Sequence, residues 1–563
     1  MTFANPESER ARALEIHKSG DLEAAEAIYA ALLAQDPEDG PTSGLLGLLR
    51  LQQGRAPEAK ELLERACQLA PGEAKHHNNL GNAEMALGQP EAAEKAFSRA
   101  VEVEPGAADF HVNAATAKLA RGRHEAAIAG FQRALEIESG NFRALHNLGS
   151  LLSRHNRVAE ALPHLKAAAA HPACQAETLV NLASAYDRSG RLDEAEAVLS
   201  RVPEGASLPP PIEMFLTILR ARHRRQRHDS GAALELLAPL EPHFAAGANP
   251  ELAADFHHEL GRAADLAGLA ARAFAAFLAT KRCLAAADPE AANSSYLTEI
   301  KERRQARPHV SSAAAGPAAP SLAFFVGFPR SGTTLLEAML DAHPGTLTTA
   351  EAGLIGAVEQ TVEGAGDDLT QHAGQAREAY FGALSEHFGE VPAGVTVIDK
   401  LPLNLSHCRL LDALFPEARL LVALRDPRDV VLSCLMQRFL PNQAMRELDT
   451  LDGTVALYEE VMGLWLEARD ELAVPWLEYR YEDLVADREG TLGGILDFLG
   501  LDTDADLAGY REKAAVRGIT TPSYLAVQNP LNRRAIGRWQ AYQGELAPAL
   551  DRLAPFARAF GYV

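Results

Sequence analysis

The sequence predicts two fold classes in one chain, an α-helical solenoid followed by a three-layer α/β domain with a parallel sheet. Small residues recur every 34 positions in the first half, a period typical of stacked helical hairpins. Beyond about residue 320 this repeat stops, and short apolar runs alternate with helical patterns. The chain has 563 residues, of which 47% are hydrophobic, so it can form more than one core.

The repeat is defined by two small positions in each unit. A proline follows the second helix in three consecutive units and ends that helix, whereas Ser139 takes its place in the next unit. Small side chains let the two antiparallel helices of a unit approach closely. The first small position of each unit is Ala13, Gly47, Gly81, Ala115, Gly149 and Ala183, and the second is Ala25, Ala59, Ala93, Ala127, Ala161 and Ala195. The prolines are Pro37, Pro71 and Pro105.

These units resemble the tetratricopeptide repeat, most clearly where the motif Asn-Leu-Gly ends at Gly81 and at Gly149. We predict six repeats in residues 1–205, a divergent repeat or helical extension in 206–305, a linker in 306–320 and a second domain in 321–563. The linker prediction rests on a stretch of small residues and prolines without charge. Stacked repeats leave a concave surface, so we expect this arm to bind a protein or peptide.

Composition disfavours several classes of function. The formal charge is −22 and no long basic stripe offsets it, which disfavours a nucleic-acid binder or a protein docked on an anionic membrane. The five cysteines are scattered without a CxxC pair, which disfavours a zinc site or a disulfide framework and fits a reducing compartment. The first eleven residues lack the apolar core of a signal peptide, and no apolar run is long enough to span a membrane. We therefore expect a soluble cytoplasmic protein.

Polar residues follow each predicted strand of the second half. The candidate strands are residues 322–326, 395–398, 419–424 and 476–479. Because ligands bind at the carboxyl ends of parallel strands, these residues are the candidates for a site. Three of the strand ends carry a cation, at Arg330, Lys400 and Arg425. Three cations near one point predict a ligand with several negative charges.

The first strand leads into the turn Gly-Phe-Pro-Arg-Ser-Gly-Thr-Thr at residues 327–334, which opens a helical pattern. A strand, a glycine-containing turn and a helix form a phosphate-binding loop. The spacing is P-loop-like, but Thr333 stands where GxxxxGK[ST] has lysine. Because that lysine reaches the β- and γ-phosphates of a triphosphate, its replacement disfavours a kinase or ATPase.

The second half resembles sulfotransferases that use 3′-phosphoadenosine 5′-phosphosulfate (PAPS), over about residues 321–563. The likeness is closest to tyrosylprotein sulfotransferases and their bacterial relatives with tetratricopeptide arms. Arg425 and Ser433, eight residues apart, match the pair that binds the 3′-phosphate. The loop that holds the 5′-phosphosulfate is matched by Arg330, Ser331, Gly332, Thr333 and Thr334.

The resemblance also implies a catalytic set. Glu351 lies 21 residues beyond Arg330, the offset of the family's catalytic glutamate. Lys400 matches the lysine that stabilises the leaving group, and Ser523 matches a serine that contacts the phosphosulfate. Tyr481 matches an aromatic residue near the adenine. These residues imply sulfuryl transfer without a metal ion.

Two positions depart from the animal enzymes. Gly353 replaces an arginine two residues after the catalytic glutamate, and an arginine that follows the 3′-phosphate serine falls one place late, at Arg438. These departures affect acceptor recognition more than donor binding. The arginine-rich run at residues 220–227 is typical of a solvated helix face, with attraction of acidic acceptor peptides as the alternative.

The resemblance favours a protein or peptide tyrosine as the acceptor, recruited by the repeat arm. Two alternatives remain open. The first is a sulfotransferase that acts on a carbohydrate, a lipid or a small molecule. The second is a non-catalytic repeat scaffold with a nucleotide-binding domain.

Overall fold

The computed structural model describes residues 5–155, 157–203, 205, 208–245, 249–287, 296–311, 320–439, 442–505, 507, 509–510 and 533–562. The chain divides into two compact units, residues 1–212 and 213–563. Among the residues that the structure describes, no helix is both long enough and apolar enough to cross a lipid bilayer.

The first unit consists of helical hairpins, as the repeat predicts. The small positions lie where the helices of a hairpin meet: a Cβ atom on Gly81 would lie 2.6 Å from the ring of Phe97, and one on Gly149 would lie 2.7 Å from Leu165. Larger side chains would force the paired helices apart. The helices are Pro6–Lys18, Leu22–Gln35, Gly40–Gln52, Ala56–Leu69, Ala74–Ala86, Pro90–Val103, Ala108–Ala120, His124–Ile137, Phe142–Arg154, Val158–Ala170, Ala176–Arg188 and Leu192–Leu199.

The next group of helices, which we term the intermediate helices, lies almost entirely in the second unit. Phe274, Phe277 and Ile300 belong to the same hydrophobic core as Phe324 of the sheet. These helices therefore fold together with the α/β region that follows them. They are Pro210–Gln226, Ser230–Leu237, Glu241–Ala245, Pro250–Leu266, Ala270–Ala287 and Tyr296–Gln305.

A parallel sheet of five strands organises the remainder of the second unit. The order is β2-β3-β1-β4-β5, so β1 lies between β3 and β4. The predicted α/β class is confirmed, and the four candidate strands are found with ends shifted by up to two residues. A three-residue strand, β2, was missed because it has no apolar run. The strands are β1 Ser321–Gly327, β2 Thr346–Thr348, β3 Thr396–Lys400, β4 Arg419–Leu424 and β5 Trp476–Arg480.

Helices cover both faces of this sheet. Phe324 and Val326 of β1 point into one hydrophobic core, while Ala323 and Phe325 point into another. A strand that is buried on both faces has a continuous apolar sequence, which is why β1 could be predicted. The helices are Thr333–Ala342, Ile355–Val362, Ala373–Phe388, Cys408–Leu414, Pro427–Leu435, Gln443–Arg446, Leu451–Ala468, Tyr481–Ala486, Arg488–Leu499 and Gln543–Ala559. Short 3-10 turns lie at Pro402–His407, Glu447–Asp449, Arg533–Ala535 and Arg538–Tyr542.

Candidate active site

The loop after β1 turns sharply into the helix Thr333–Ala342. Arg330 and Gly332 both have left-handed backbone conformations, with φ of 72° and 93°. A Cβ atom on Gly332 would lie 2.4 Å from the ring of Tyr481, so the loop packs directly against that ring. The helix begins directly after this loop, and the first amides of a helix have no partner within it, which is the arrangement of anion-binding loops. The hydroxyl side chains of the loop are buried: Ser331, Thr333 and Thr334.

Replacing Gly332 with alanine tests this packing. We expect Gly332→Ala to weaken nucleotide binding and to destabilise the second unit by about 1–3 kcal/mol, because an L-residue with this φ is strained and its methyl group clashes with Tyr481. Gly356 is the matched control, since a Cβ there meets no atom within 4 Å and its φ is not positive. Thermal unfolding of both variants is the measurement. Equal midpoints would contradict the role given to Gly332.

Two arginines from different strand ends meet in this loop. The Nε of Arg330 donates to the Oγ of Ser433 at 3.1 Å. The Nη1 of Arg425 donates to the backbone oxygen of Arg330 at 3.0 Å. Arg330 therefore meets Arg425 and Ser433, which lie 95 and 103 residues further along the chain, at the carboxyl ends of β1 and β4.

Arg425 is only 7% exposed. Its Nη2 donates to the backbone oxygen of Ala535 at 2.6 Å, and its guanidinium carbon lies 5.0 Å from the centroid of the Tyr481 ring. Its Nε is buried and has no hydrogen-bond partner among the described residues. Burial, together with the positive charge of Arg425, lowers the pKa of Arg330 to about 10. Two neighbouring buried cations are destabilised unless an anion joins them.

Lys400 lies at the end of β3 and is completely buried. Its Nζ forms an ion pair of 3.0 Å with Glu337 and a shorter one with Glu351. One ammonium group is thus shared by two carboxylates. Glu337 was not identified from the sequence. The feature that could have indicated it is a glutamate within the apolar sequence of the helix that follows the loop. In the structure, only 1% of its surface is exposed.

Glu351 is held by a strained turn after β2. Ala350 and Glu351 have φ of 48° and 69°, and both are left-handed without being glycine. Such residues cost about 1–3 kcal/mol each and occur where function requires a fixed geometry. The amide of Glu351 donates to the backbone oxygen of Lys400 at 3.0 Å. The side chain of Glu351 is 36% exposed, so it remains partly accessible to solvent while it contacts Lys400.

A buried hydrogen-bond network supports this turn. Asp399 accepts hydrogen bonds from Thr349 at 3.1 Å and from Tyr380 at 2.9 Å. The amide of Lys400 donates to the Thr349 hydroxyl at 3.1 Å. Burial raises the pKa of Asp399 to about 6, although both hydroxyl groups favour its ionised form. This network fixes the end of β3 against the turn that carries Glu351.

Glu337→Gln tests the division of Lys400 between two carboxylates. We expect kcat to fall about tenfold, because Lys400 would then pair with Glu351 alone. Lys400 would compete with the acceptor hydroxyl group for the partly exposed carboxylate of Glu351. Affinity for the nucleotide is expected to change little. Asp341→Asn is the control, since this residue of the same helix contacts Thr348 rather than Lys400. Unchanged kcat in Glu337→Gln would contradict this role.

Three further residues were named from the sequence. Tyr481 contacts the loop through Gly332, as described above. Ser523 lies outside the described residues. Arg438 forms an ion pair with Asp255 of the intermediate helices.

The arginine-rich run does not form a uniformly solvated face. Arg222 and Arg225 both pair with Glu259, which is 1% exposed, whereas Arg220 and Arg224 are exposed. Among the described residues, there is no group of three or more His, Cys, Asp or Glu side chains that could hold a metal ion.

Asp429 is a second site residue that was missed. It is 1% exposed, and it accepts hydrogen bonds from the backbone amides of Gly537 at 2.6 Å and Trp539 at 2.8 Å. Burial raises its pKa, and the two amides oppose that shift. Residues 533–542, which also contact Arg425 through Ala535, are thereby joined to the helix that carries Ser433.

Comparison with known proteins identifies the two parts of the chain. Residues 323–505 match the model of the sulfotransferase family. Residues 17–80, 78–142 and 152–210 match models of the tetratricopeptide repeat. The chain carries a sulfotransferase domain and a tetratricopeptide repeat region. Both resemblances drawn from the sequence are confirmed, and the loop, Glu337, Glu351, Lys400, Arg425 and Ser433 lie within the sulfotransferase match.

Several curated relatives of the chain are named protein-tyrosine sulfotransferases. A putative member from Caenorhabditis briggsae is 25% identical over 250 residues, which cover 43% of this chain and 89% of that protein. Protein-tyrosine sulfotransferase 2 of Gallus gallus is 26% identical over 266 residues, 43% of this chain and 69% of that protein. The Drosophila melanogaster enzyme is 27% identical over 267 residues, 43% of this chain and 51% of that protein.

Among solved structures, MamA matches with 25% identity and a TM-score of 0.27, covering 28% of this chain and 91% of that chain. Pseudomonas aeruginosa PilF matches with 18% identity and a TM-score of 0.33, covering 37% of this chain and 93% of that chain.

Proposed function

We propose that the sulfotransferase domain transfers a sulfuryl group from PAPS to the hydroxyl group of a protein or peptide tyrosine. The observation that carries this proposal is the contact between Arg330 and Arg425 at a helix N-terminus. The buried Nε of Arg425 has no hydrogen-bond partner among the described residues. A nucleotide with anionic groups at both its 3′ and 5′ positions would bring one anionic group to each of the two arginines.

The residues present fit PAPS. Arg425 and Ser433 would hold the 3′-phosphate, since one supplies a buried guanidinium and the other a hydroxyl that already contacts Arg330. The loop amides at the start of the helix Thr333–Ala342 would hold the 5′-phosphosulfate. Tyr481, whose ring already contacts the loop and lies beside Arg425, would lie near the adenine. Ser331, Thr333 and Thr334 supply hydroxyl groups for the same anion.

The ion pair of Lys400 and Glu351 supports sulfuryl transfer at this place. The acceptor oxygen forms a bond to sulfur while the bond from sulfur to the bridging phosphate oxygen breaks, and negative charge develops on that bridging oxygen. Lys400 and Arg330 would stabilise this charge. The phenol of tyrosine has a pKa of about 10, so its proton must be removed as the new bond forms. Glu351 would accept that proton, an effect worth about 100- to 10,000-fold in rate.

The tyrosine acceptor is supported by the names of the relatives, and recruitment by the repeat region is supported by the usual role of such arms. Incubation with [³⁵S]PAPS and matched peptides tests both steps. Transfer to a tyrosine peptide but not to its phenylalanine counterpart is the expected result. Label on a glycan, lipid or small molecule would move the acceptor to another class. Binding of the nucleotide without transfer to any acceptor would indicate a non-catalytic scaffold.

A further inference from the structure

Residues 533–542 contact the sulfotransferase site, although they lie beyond the part of the chain that matches the family model. Their backbone supplies three contacts to the site: Ala535 accepts from Arg425, and Gly537 and Trp539 donate to Asp429. Asp429 lies between Arg425 and Ser433, four residues from each along the chain. The location of residues 533–542 therefore affects how the donor-binding residues are arranged.

Residues 533–542 have little hydrophobic core of their own. They form two short 3-10 turns, and Tyr542 is the residue among them that is fully buried. Segments with few buried apolar contacts have low local stability. Trp539 packs against the hydrophobic core, and the guanidinium carbon of Arg428 lies 4.0 Å from the centroid of its ring; polar contacts complete the placement of this segment.

The most extensive of these polar contacts comes from the intermediate helices. Asp265, in the last turn of the helix Pro250–Leu266, forms a bidentate ion pair with Arg538. It also accepts a hydrogen bond of 2.6 Å from the hydroxyl of Tyr542. The ring of Tyr542 lies 6.5 Å from that of Phe274, in the next intermediate helix. Bidentate, charge-assisted pairs fix both the distance and the orientation of their partners.

We propose that Asp265 is a positioning residue of the donor site. It holds Arg538 and Tyr542, and thereby keeps the backbone of residues 535–539 where it contacts Arg425 and Asp429. The intermediate helices are then a working part of the sulfotransferase and set its affinity for the donor. This inference rests on the proposed function, because it requires that Arg425 binds the donor nucleotide.

The test is Asp265→Asn in the full-length protein, which removes the negative charge and one of two acceptor oxygens. We expect affinity for 3′-phosphoadenosine 5′-phosphate (PAP), measured by calorimetry, to fall about tenfold. The KM for PAPS should rise by a similar factor, with kcat at saturating PAPS within about twofold of wild type. Amide exchange of the peptide that contains Gly537 and Trp539 should become faster. Arg272→Gln, which removes an exposed ion pair with Glu241 in the same helices, is the matched control and should change none of these.

A second variant separates positioning from folding. If Asp265 acts through Arg538, Arg538→Gln should weaken PAP binding to a similar extent, and the double variant should be no weaker than either single variant. A purely structural role would lower the fraction of active enzyme, and hence kcat, while KM stayed constant. That result, or unchanged PAP affinity in Asp265→Asn, would overturn the inference. Failure of the wild-type protein to bind PAP would instead overturn the proposed function on which it rests.

Discussion

Glu351→Gln is expected to lower kcat by about 100- to 10,000-fold, because the amide cannot accept the proton of the acceptor hydroxyl. Affinity for PAP should remain within about threefold of wild type, since Lys400 keeps its ion pair with Glu337 and the buried ammonium group is not left alone. Single-turnover transfer from [³⁵S]PAPS measures the loss, and calorimetry measures the affinity.

The control for Glu351→Gln is Glu363→Gln, at an exposed carboxylate twelve residues further along the chain. This variant should transfer sulfate at the wild-type rate. If Glu351→Gln retained near-full activity, another group would be the base, and the strained turn at residues 350–351 would need a different explanation.

Arg425→Ala is expected to weaken PAP binding by about 30-fold or more, which corresponds to roughly 2 kcal/mol, because the buried charge proposed to contact the 3′-phosphate is removed. Comparison with adenosine 5′-monophosphate, which lacks that phosphate, makes the assignment specific. The wild-type protein should bind PAP much more tightly than the monophosphate. In Arg425→Ala this difference should largely disappear.

Arg419→Ala is the matched control for Arg425, because Arg419 begins β4, the strand at whose other end Arg425 lies. It should leave the preference for PAP intact. If Arg425→Ala kept that preference, the 3′-phosphate would bind elsewhere, and the contact between Arg425 and the loop would be structural.

Sequence patterns revealed those parts of the fold that depend on local periodicity. β1 and β4 have continuous apolar sequences because both faces of each strand are buried, so they could be recognised. β2 could not, since three residues that include two threonines carry no strand pattern. Likewise, the apolar positions of the intermediate helices show that one face is buried but do not show which part of the chain covers it.

The candidate site divides in the same way. Arg330, Lys400 and Arg425 could be found because each lies at the end of a strand, and the carboxyl ends of parallel strands meet at one edge. Glu337 and Asp265 could not, because each is defined by a partner far along the chain: 63 residues separate Glu337 from Lys400, and 273 separate Asp265 from Arg538. An isolated carboxylate on a helix carries no signal of such a pairing.

The central claim is that Arg330 and Arg425 bind a single nucleotide with two anionic groups. A crystal structure of the full-length protein with PAP bound tests it most directly. We predict the 3′-phosphate against Arg425 and Ser433, and the 5′-phosphate in the loop at residues 330–334. A bound PAP that places neither phosphate against these two arginines would contradict the account.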